Sequence, residues 1–502
     1  MPADGHLGAP FWTCDCNTVT ALFERAAAAS PDSIYCKSTA GTLRYGEAAR
    51  LVALLAEELS PQVRNRSVAL LLPNSLSFLL TYQAVLRAGG KPHLLNRGLP
   101  EASLQKLLAD VAPALLIAPE EHGSIATFVV NDEALLAQVA DLRDDPWPAP
   151  AGAGPEDVAA ILFSGGTTGL PKRVPHSHRA MMAAIERMEW GWPTRAGEVW
   201  LPVAPFTHVY GFLMGVVNPL FRSGTVVIPE RFQPDLILHM LVSEKVTVFG
   251  GGPPAIYQGI MAAKDFAGTR FPDLRICPGG GAPFPVEVHR RWKEATGLTI
   301  HEGYGMTEIA PIAVNTELAG TKPGAAGRPV PDTEVEIVDL DSGQKVLPPG
   351  VAGEVRVRGP HMMAGYADDR KETAIILRDG WVYTGDIGVI DMDGFLTLTD
   401  RKKDVIFYKG FNVFPREIEE VLLTHPAVAQ ACVVGRPDGR AGEIAVAYVT
   451  AAGRCDEQAL LAHCQENLVA YKVPGIIRIE AALPLTAAGK LDRMALRARA
   501  KE

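Results

Sequence analysis

The sequence predicts an α/β protein with a large, multi-subdomain α/β N-terminal domain and a small α+β C-terminal domain. Short apolar runs alternate with helical patterns near the N-terminus: a strand is predicted over 68–72, a helix over 75–88 and a strand over 114–118. Apolar runs of this kind are typical of strands buried on both faces of a sheet. The first part of the chain is therefore expected to form layered α/β structure.

The same alternation continues through the middle of the chain. A loop is predicted over 144–155, where Pro, Ala and Gly are frequent, and a buried strand follows over 158–163. Beyond it the pattern predicts strands over 226–228, 246–249 and 274–277, and helices over 235–241 and 286–296.

The pattern changes from Val335 onwards. Shorter strands and hairpin turns such as 391–394 are predicted there. After Asp400 the chain is expected to fold as a small α+β unit. Its predicted elements are a helix over 415–423, strands over 428–435 and 445–450, and a helix over 457–468.

Composition excludes some classes of protein. The chain has 502 residues, of which 47% are hydrophobic, enough to bury a full core. Its 48 basic and 57 acidic residues give a net charge of -9. A dedicated nucleic-acid or anionic-membrane binder would carry the opposite charge, so nucleic acid is not an expected partner.

The cysteines and the N-terminus predict a cytoplasmic protein. The seven cysteines are odd in number and scattered, unlike those of a disulfide scaffold. Cys14 and Cys16 form a C-x-C pair, and without a second pair ordinary thiols are favoured over a metal site. No basic segment leads into an apolar run at the N-terminus, so no secretory signal is expected.

One uncharged stretch, 199–221, is long enough to test as a membrane span. A spanning helix would have to accommodate several residues that interrupt it, so a buried strand and helix are the favoured interpretation and no membrane span is expected. The interrupting residues are Pro202, Pro205, His208, Asn218 and Pro219.

The segment 163–172 has the composition of a phosphate-binding loop. It follows a buried strand, its glycines allow backbone N–H groups to approach an anion, and Ser164, Thr167 and Thr168 add hydroxyl donors. Lys172 supplies a positive charge. The segment is not a Walker A loop, because Pro171 precedes the lysine and Arg173 follows it. An ordinary flexible loop is the alternative.

Two further segments pair glycine with a carboxylate. In 303–308, Thr307 can bond a phosphate oxygen and Glu308 can hold Mg²⁺, which usually takes one or two carboxylates plus substrate phosphates. In 383–386, Asp386 can accept hydrogen bonds from both ribose hydroxyls. Each segment on its own is also compatible with a plain turn.

Two lysine-containing segments lie nearer the C-terminus. The charged cluster at 400–404 is followed by 409–412 and 415–419, and such a cluster is usually a solvated face. Lys490 lies on a glycine-containing loop at 485–490, where an isolated lysine is usually a surface residue.

Taken in this order, these segments resemble the signature motifs of the acyl-adenylate-forming (AMP-binding) superfamily, most closely those of its acyl- and aryl-CoA synthetases. The resemblance covers nearly the whole chain. It implies an N-terminal AMP-binding domain over 1–399 with the ATP and acid sites, and a mobile C-terminal lid over 400–502 that carries Lys490 and turns at a hinge at Asp400.

The resemblance also implies nucleotide-binding roles. Lys490 matches the lysine that bridges the carboxylate and the α-phosphate, while Thr307 and Glu308 match the phosphate and magnesium positions. The adenine site corresponds to 279–283 together with 302–304, and Asp386 and Arg401 match the ribose contacts. The implied ATP-binding set is Ser164, Gly165, Gly166, Thr167, Thr168, Gly169, Lys172, Gly279, Gly280, Gly281, Ala282, Pro283, Glu302, Gly303, Tyr304, Gly305, Met306, Thr307, Asp386, Leu398, Arg401 and Lys490.

The segment 205–211 resembles the family's Pro-x-Phe-His-x-x-Gly motif and makes His208 a catalytic or orienting candidate; a core histidine is the alternative. No Asp or Glu lies within 199–229, so an α-amino acid substrate is disfavoured, because its ammonium group would lack a partner. The expected acid pocket comprises His208, Val209, Tyr210, Phe212, Phe249, Gly250, Gly251, Gly281, Gly305 and Met306.

The chain departs from the family pattern at several positions. Arg173 stands where glycine is usual, Gly165 where serine is common, and Phe407 where many plant-type aryl-CoA ligases have lysine. The segment 90–96 is more polar than in most members. These differences bear on substrate and acceptor rather than on adenylation.

The resemblance therefore implies ATP-dependent activation of a carboxylic acid, followed by transfer to a thiol. Coenzyme A is the first expectation for the acceptor, with Lys409, Gly410 and Phe411 on the thiol side. The phosphopantetheine of a carrier protein is the alternative, and a non-catalytic nucleotide-binding homologue is a third possibility. ATP, Mg²⁺ and coenzyme A are the expected cofactors.

Overall fold

A computed structural model of the protein describes residues 10–123, 125–142, 152–164, 171–282, 284–409, 411–453, 455–485 and 491–501. Most of the loop predicted over 144–155 lies outside these residues. So do the following predicted site residues: Gly165, Gly166, Thr167, Thr168, Gly169, Pro283, Gly410 and Lys490.

The described residues form fourteen α-helices and twenty-five strands. The helices are α1 (Val19–Ala29), α2 (Tyr45–Val63), α3 (Leu76–Arg87), α4 (Glu101–Val111), α5 (Asp132–Ala137), α6 (His178–Gly191), α7 (Val209–Phe212), α8 (Pro234–Ser243), α9 (Pro254–Met261), α10 (Val286–Thr296), α11 (Arg370–Ile376), α12 (Pro415–Thr424), α13 (Glu457–Asn467) and α14 (Arg493–Ala500).

The strands are β1 (Ile34–Ser38), β2 (Gly41–Arg44), β3 (Ser67–Leu70), β4 (Lys91–Leu94), β5 (Leu115–Ala118), β6 (Thr127–Val129), β7 (Val158–Ser164), β8 (Lys172–Ser177), β9 (Val199–Pro202), β10 (Thr225–Val227), β11 (Val248–Gly250), β12 (Cys277–Gly280), β13 (Ile300–Met306), β14 (Ile309–Asn315), β15 (Arg328–Pro329), β16 (Glu334–Val338), β17 (Gly353–Arg358), β18 (Leu377–Arg378), β19 (Trp381–Ile390), β20 (Leu396–Arg401), β21 (Ile406–Tyr408), β22 (Phe411–Val413), β23 (Val428–Asp438), β24 (Gly442–Ala451) and β25 (Ile476–Glu480).

The chain divides into two compact units. The first comprises Met1–Glu334 and Val357–Val382, and the second Val335–Arg356 and Tyr383–Glu502. This division describes packing and not motion, so the predicted hinge at Asp400 and the boundary between 1–399 and 400–502 stay predictions.

Three sheets build the first unit. Their strand orders are β6-β5-β3-β4-β7-β8, β11-β9-β10-β1-β2 and β12-β13-β14-β15. The first two are parallel except for the antiparallel edge strands β8 and β2. Parallel strands connected through covering helices confirm the predicted α/β class.

Helix α3 shows how the sequence produces these layers. Its predecessor Ser75 caps the helix by accepting a hydrogen bond from the Phe78 N–H at 3.0 Å. All twelve residues of the helix are buried, as expected for a helix that is apolar around most of its circumference. The predicted helix over 75–88 is thereby confirmed.

One predicted strand is displaced toward its C-terminal end. The strand predicted over 274–277 forms instead at Cys277–Gly280, with three of its four positions beyond the apolar run. Periodicity favoured the apolar residues, whereas the fold uses the glycines that follow, because their missing side chains permit close pairing with β13.

The uncharged stretch 199–221 forms β9, α7, a π-helical turn at Leu213–Val217 and a 3₁₀ turn at Asn218–Arg222. This confirms a buried strand followed by helical segments. None of the helices in the described ranges combines the length and apolarity that crossing a membrane requires. All seven cysteines lie in those ranges, and each is a free thiol.

The second unit contains the predicted C-terminal α+β elements. The strand order β22-β21-β24-β23, with β25 also paired to β24, forms one sheet. Helices α12 and α13 and strands β23 and β24 confirm the elements predicted over 415–468. A second sheet in this unit joins β16, β17, β19 and β20.

Buried neutral histidines make the fold sensitive to acid. His93 is 2% exposed, and among the described residues neither of its ring nitrogens has a hydrogen-bonding partner. Burial, helped by Arg173 and Lys91, lowers its pKa from 6.5 to about 4. Below pH ~6.5 the unfolded chain therefore binds a proton at this histidine that the folded chain does not bind. The free energy of unfolding falls as the pH drops from there toward ~4.

We expect His93→Leu to reduce this acid sensitivity. The substitution removes up to about 1.4 kcal/mol of destabilisation per pH unit below the unfolded pKa. Melting temperatures measured at pH ~7.5 and pH ~5 should differ less in this variant than in the wild type. His239→Leu on the exposed face of α8 is the control and should keep the wild-type difference; equal differences in all three proteins would contradict the prediction.

Candidate active site

A tight hairpin turn carries the predicted phosphate and magnesium residues. Strands β13 and β14 pair antiparallel with Met306 opposite Ile309, so Thr307 and Glu308 form the connection between them. The His176 ring nitrogen Nε2 lies 2.8 Å from the Thr307 carbonyl oxygen. Burial lowers the pKa of His176 to about 4, so at neutral pH the ring is uncharged and donates from Nε2.

The Glu308 side chain is buried and hydrogen-bonded. It is 4% exposed, and its Oε1 accepts a hydrogen bond from the Tyr366 hydroxyl at 2.6 Å. The backbone N–H of Met363 donates to the Glu308 carbonyl at 2.9 Å. The segment around Tyr366 therefore contacts both the side chain and the backbone of this turn.

Tyr366 also contacts both described ends of the predicted phosphate loop. Burial raises the pKa of the Tyr366 hydroxyl and an interaction with the Ser164 side chain opposes that rise, while Lys172 Nζ lies 4.9 Å from the ring centroid. Lys172 Nζ forms an ion pair with Glu372 Oε2 at 2.5 Å. The loop ends and the hairpin turn thus meet at one aromatic side chain.

Ion pairs explain why an arginine occupies position 173, where glycine is usual in the family. Its Nε lies 3.4 Å from Asp110 Oδ2, and its Nη2 lies 3.2 Å from Asp368 Oδ2. The side chain is 14% exposed. The arginine at this unusual position joins separate segments of the first unit through its ion pairs.

The donor set at the turn fits a magnesium ion held mainly by substrate. In the described ranges no group of three or more His, Cys, Asp or Glu residues is arranged to hold a metal. Glu308 offers carboxylate oxygens and Thr307 a hydroxyl, both of which are hard ligands. One carboxylate together with phosphate oxygens is the usual magnesium arrangement in nucleotide sites.

Glycines bring the predicted adenine-site strands close together. In the parallel pair of β12 and β13, Gly280 lies opposite Gly303. A Cβ atom on Gly280 would lie 2.7 Å from the Gly303 carbonyl oxygen, and one on Gly303 would lie 2.6 Å from Trp192 Cη2. These positions therefore require glycine.

Other predicted adenine-site residues lie on the same strands and the turn after β12. Gly279 pairs with Glu302, whose Oε1 lies 2.7 Å from His289 Nε2. Gly281 has φ +78°, a left-handed conformation that glycine adopts without strain, and Ala282 follows it. Tyr304 lies on β13, and Gly305 and Met306, which were predicted for the wider ATP site, complete the strand.

His208 begins the helical segment of the predicted acid pocket. It precedes α7, and its Nδ1 accepts a hydrogen bond from the Tyr210 N–H at 3.2 Å. In the neutral ring the proton is then on Nε2. The Tyr210 hydroxyl donates to the Pro278 carbonyl at 2.9 Å and accepts from the Gly252 N–H at 3.2 Å, which connects the histidine's helix to β12.

The other predicted pocket residues differ in their surroundings. Phe212 and Phe249 are fully buried, and they make edge-to-face contacts with Tyr82 and Tyr257 respectively. These rings belong to the core behind the segment, and their role toward a substrate stays a prediction. Val209 is also buried, and Cβ atoms on Gly250, Gly251 and Gly305 would contact Met214, Tyr257 and Ala310.

The second unit brings the two predicted ribose residues together. Asp386 on β19 pairs with Arg401 on β20, and Arg401 Nε lies 3.0 Å from Asp386 Oδ1. Asp386 is 7% exposed, while the Arg401 side chain is 59% exposed. Leu398 lies on the same strand, where its carbonyl accepts a hydrogen bond from Arg416 at 2.6 Å.

The predicted hinge and thiol-side residues lie farther along this unit. Asp400 accepts hydrogen bonds from the backbone N–H groups of Arg401 and Arg416 at 2.7 and 3.0 Å. Burial raises its pKa to about 6 against these opposing bonds. Lys409 has φ +48° in the β21–β22 turn, and Phe411 stacks on Tyr471 with ring centroids 4.6 Å apart.

Several residues of the site were missed by sequence reasoning: Tyr366, His176 and Trp192. Each contacts a distant part of the chain. Tyr366 contacts the Glu308 side chain, His176 the Thr307 carbonyl, and Trp192 lies against Gly303. A single tyrosine after a glycine, or a histidine in a strand, carries no local signal of such a contact.

Comparison with known proteins gives the class and family. Residues 23–367 match the AMP-binding enzyme family, and 417–490 match the C-terminal domain of AMP-binding enzymes. A feruloyl-CoA synthase of an Amycolatopsis species is 34% identical over 95% of this chain and 97% of its own. A long-chain-fatty-acid–CoA ligase of Bacillus subtilis is 32% identical over 86% of this chain and 84% of its own.

Solved structures agree with these matches. ATP-bound MatB from Rhodopseudomonas palustris has a TM-score of 0.88 at 26% identity and covers 97% of this chain and 99% of its own. The o-succinylbenzoate CoA synthetase MenE from Bacillus subtilis, in complex with ATP and magnesium, has a TM-score of 0.82 at 26% identity, with coverages of 96% and 99%.

Fold and matched families together define an AMP-forming ligase. The protein belongs to the AMP-binding enzyme family, in the branch of acyl-CoA synthetases. The predictions of fold class, family and enzyme class are thereby confirmed, while the individual site residues stay predictions.

We expect Gly280→Ala to disturb the adenine-site strands. The added methyl would approach the Gly303 carbonyl to 2.7 Å, so β12 and β13 must separate, at a cost of about 1–3 kcal/mol in stability. The melting temperature should fall, and ATP affinity measured by calorimetry should fall with it. Gly268→Ala, where a Cβ atom meets nothing within 4 Å, is the matched control. Wild-type ATP affinity in both variants would contradict this assignment.

Proposed function

We propose that the protein activates a carboxylic acid with ATP and transfers the acyl group to coenzyme A. In the first step a carboxylate oxygen bonds to the α-phosphorus and pyrophosphate leaves; in the second a thiol attacks the acyl carbon and AMP leaves. The observation that carries the proposal is the buried Glu308 carboxylate, connected through Tyr366 to Lys172. The names of two relatives of this protein, a CoA ligase and a CoA synthase, also support the proposal.

Glu308 and Thr307 would hold Mg²⁺ in this reaction, and Ser164 and Lys172 would bind phosphate oxygens. When bound, Mg²⁺ neutralises part of the charge on the triphosphate. His176 holds the same turn through its hydrogen bond with the Thr307 carbonyl, which supports a preorganised position for Thr307 and Glu308.

Joining two anions is the main barrier of the first step. Lys490, proposed as the bridging lysine, would place a positive charge between the carboxylate and the α-phosphate. At about 4 Å and an effective dielectric of about 20, one such charge contributes roughly 4 kcal/mol, which corresponds to orders of magnitude in rate. His208 would orient the acid through its Nε2 proton, since Nδ1 accepts the Tyr210 N–H.

For the second step we propose that the lid over 400–502 turns at Asp400 and replaces Lys490 with the loop at Lys409, Gly410 and Phe411. One mobile domain then serves two reactions in sequence. Asp386 and Arg401 would bind the ribose, and their ion pair supports a shared role.

The substrate we propose is an acid without an amino group, carrying an apolar aliphatic or aryl chain. The absence of Asp and Glu from 199–229 supports it, because an ammonium group would have no partner there. The relatives named for long-chain fatty acids and for feruloyl-CoA also support it.

Acid-dependent exchange of labelled pyrophosphate into ATP tests the proposal. A panel of fatty and aryl acids should give exchange with at least one acid and a thioester when coenzyme A is added. Thioester formed only with a phosphopantetheinyl carrier domain would favour the carrier-loading alternative. No exchange with any acid, alongside ATP binding, would favour a non-catalytic homologue.

Lys490→Ala should separate the two half-reactions. We expect adenylate formation to fall by at least about a hundredfold, since roughly 4 kcal/mol of charge stabilisation is lost. Thioester formation from a supplied acyl-adenylate should stay near the wild-type rate. Lys501→Ala, at an exposed position in the same unit, is the control. Equal loss of both half-reactions would remove the assigned role from Lys490.

A further inference from the structure

We propose that Tyr366 is a positioning residue that sets the orientation of the Glu308 carboxylate toward magnesium and couples it to the phosphate-binding segment. The inference rests on the proposed function. Its starting point is that the Tyr366 hydroxyl donates to the magnesium candidate Glu308 while the ring of the same residue lies against Lys172, at the end of the phosphate-binding segment.

The proton on the phenol fixes the direction of this network. Tyr366 has one hydroxyl proton, and Glu308 when ionised only accepts, so the 2.6 Å contact is a donation from Tyr366 to Glu308 Oε1. Any hydrogen bond between Ser164 and Tyr366 must then be donated by the Ser164 hydroxyl. Hydrogen bonds to a carboxylate are strong, and bonds in a chain reinforce one another.

The geometry leaves the carboxylate able to bind a cation. An ionised carboxylate has about four lone-pair sites, and the phenol occupies one of them. A neutral donor therefore fixes the orientation of Glu308 without neutralising its charge. An arginine or lysine in the same place would compete with the metal.

The tyrosine is itself held from several sides. Its backbone N–H donates to Thr373 Oγ1 at 2.9 Å, and its ring packs with Val174 and Met363 in a small buried cluster. Only 8% of the residue is exposed. A locked ring gives its hydroxyl a fixed position, which a positioning role requires.

Lys172 connects the ring to the second end of the phosphate segment. Its Nζ lies 4.9 Å from the Tyr366 ring centroid and pairs with Glu372 of α11. The residue after Tyr366 binds the residue that directly follows this segment, because the Ala367 N–H donates to the Arg173 carbonyl at 3.0 Å. The orientation of Glu308 and the position of Lys172, at the described end of the phosphate segment, are therefore coupled through one side chain.

Tyr366→Phe tests the hydroxyl alone, since the ring and its contact with Lys172 remain. We expect the magnesium concentration that half-saturates binding of α,β-methylene-ATP to rise about tenfold, the equivalent of ~1.4 kcal/mol. The analogue cannot lose pyrophosphate, so calorimetry across a series of Mg²⁺ concentrations reports binding without turnover. Affinity at saturating Mg²⁺ should recover toward the wild-type value.

A matched control separates positioning from stability. Tyr45→Phe removes another buried hydroxyl, one that donates to the Gly224 carbonyl at 2.8 Å. Both variants should lose some thermal stability, but only Tyr366→Phe should shift the magnesium dependence. If Tyr366→Phe does not fold, Thr373→Val, which removes the acceptor of the Tyr366 N–H, is titrated instead and should shift the dependence in the same direction.

The outcomes distinguish this inference from the proposed function. If the wild type gives acid-dependent exchange and the magnesium curve of Tyr366→Phe, or of Thr373→Val in its place, overlays the wild-type curve, the inference is wrong and the function stands. If the wild type gives no exchange with any acid, the proposed function fails independently of Tyr366. A shifted curve in Tyr45→Phe as well would show a general effect of lost stability and would also overturn the inference.

Discussion

A carboxylate buried in the turn of a β-hairpin is the constraint around which the first unit's candidate site is organised. Glu308 is 4% exposed, and a charge with so little water around it needs hydrogen-bond donors or a cation. The chain supplies Tyr366 to the side chain and the Met363 N–H to the backbone. These donors, which come from segments distant in sequence, lower the cost of burying the charge.

Close approach of backbones is the second physical requirement of the site. Gly280 and Gly303 face each other on neighbouring strands, and a side chain at either position would meet a carbonyl oxygen or the Trp192 ring. The same glycines that weaken a strand by lacking side chains permit the pairing of β12 with β13. The second unit instead builds its candidate site from charge, through the Asp386–Arg401 ion pair on paired strands.

Local pattern predicted most elements of the fold. Helix α10 has the bounds that the helical pattern predicted, and in the structure Gly297 follows it as a left-handed cap. The strand over 274–277 was displaced because pairing, not hydrophobicity, decided where β12 lies. For the site, the motifs identified Thr307, Glu308, Asp386 and Arg401, whose residue types carry their chemistry.

What the sequence determined by itself is the α/β class, the family and the residue types that an acid-activating ligase needs, since these depend on periodicity and on ordered motifs. Only the tertiary structure decided which side chains support those residues. Tyr366 on Glu308, His176 on the Thr307 carbonyl and Trp192 against Gly303 join positions far apart in the chain. Such contacts follow from how sheets and loops pack, and no spacing in the sequence records them.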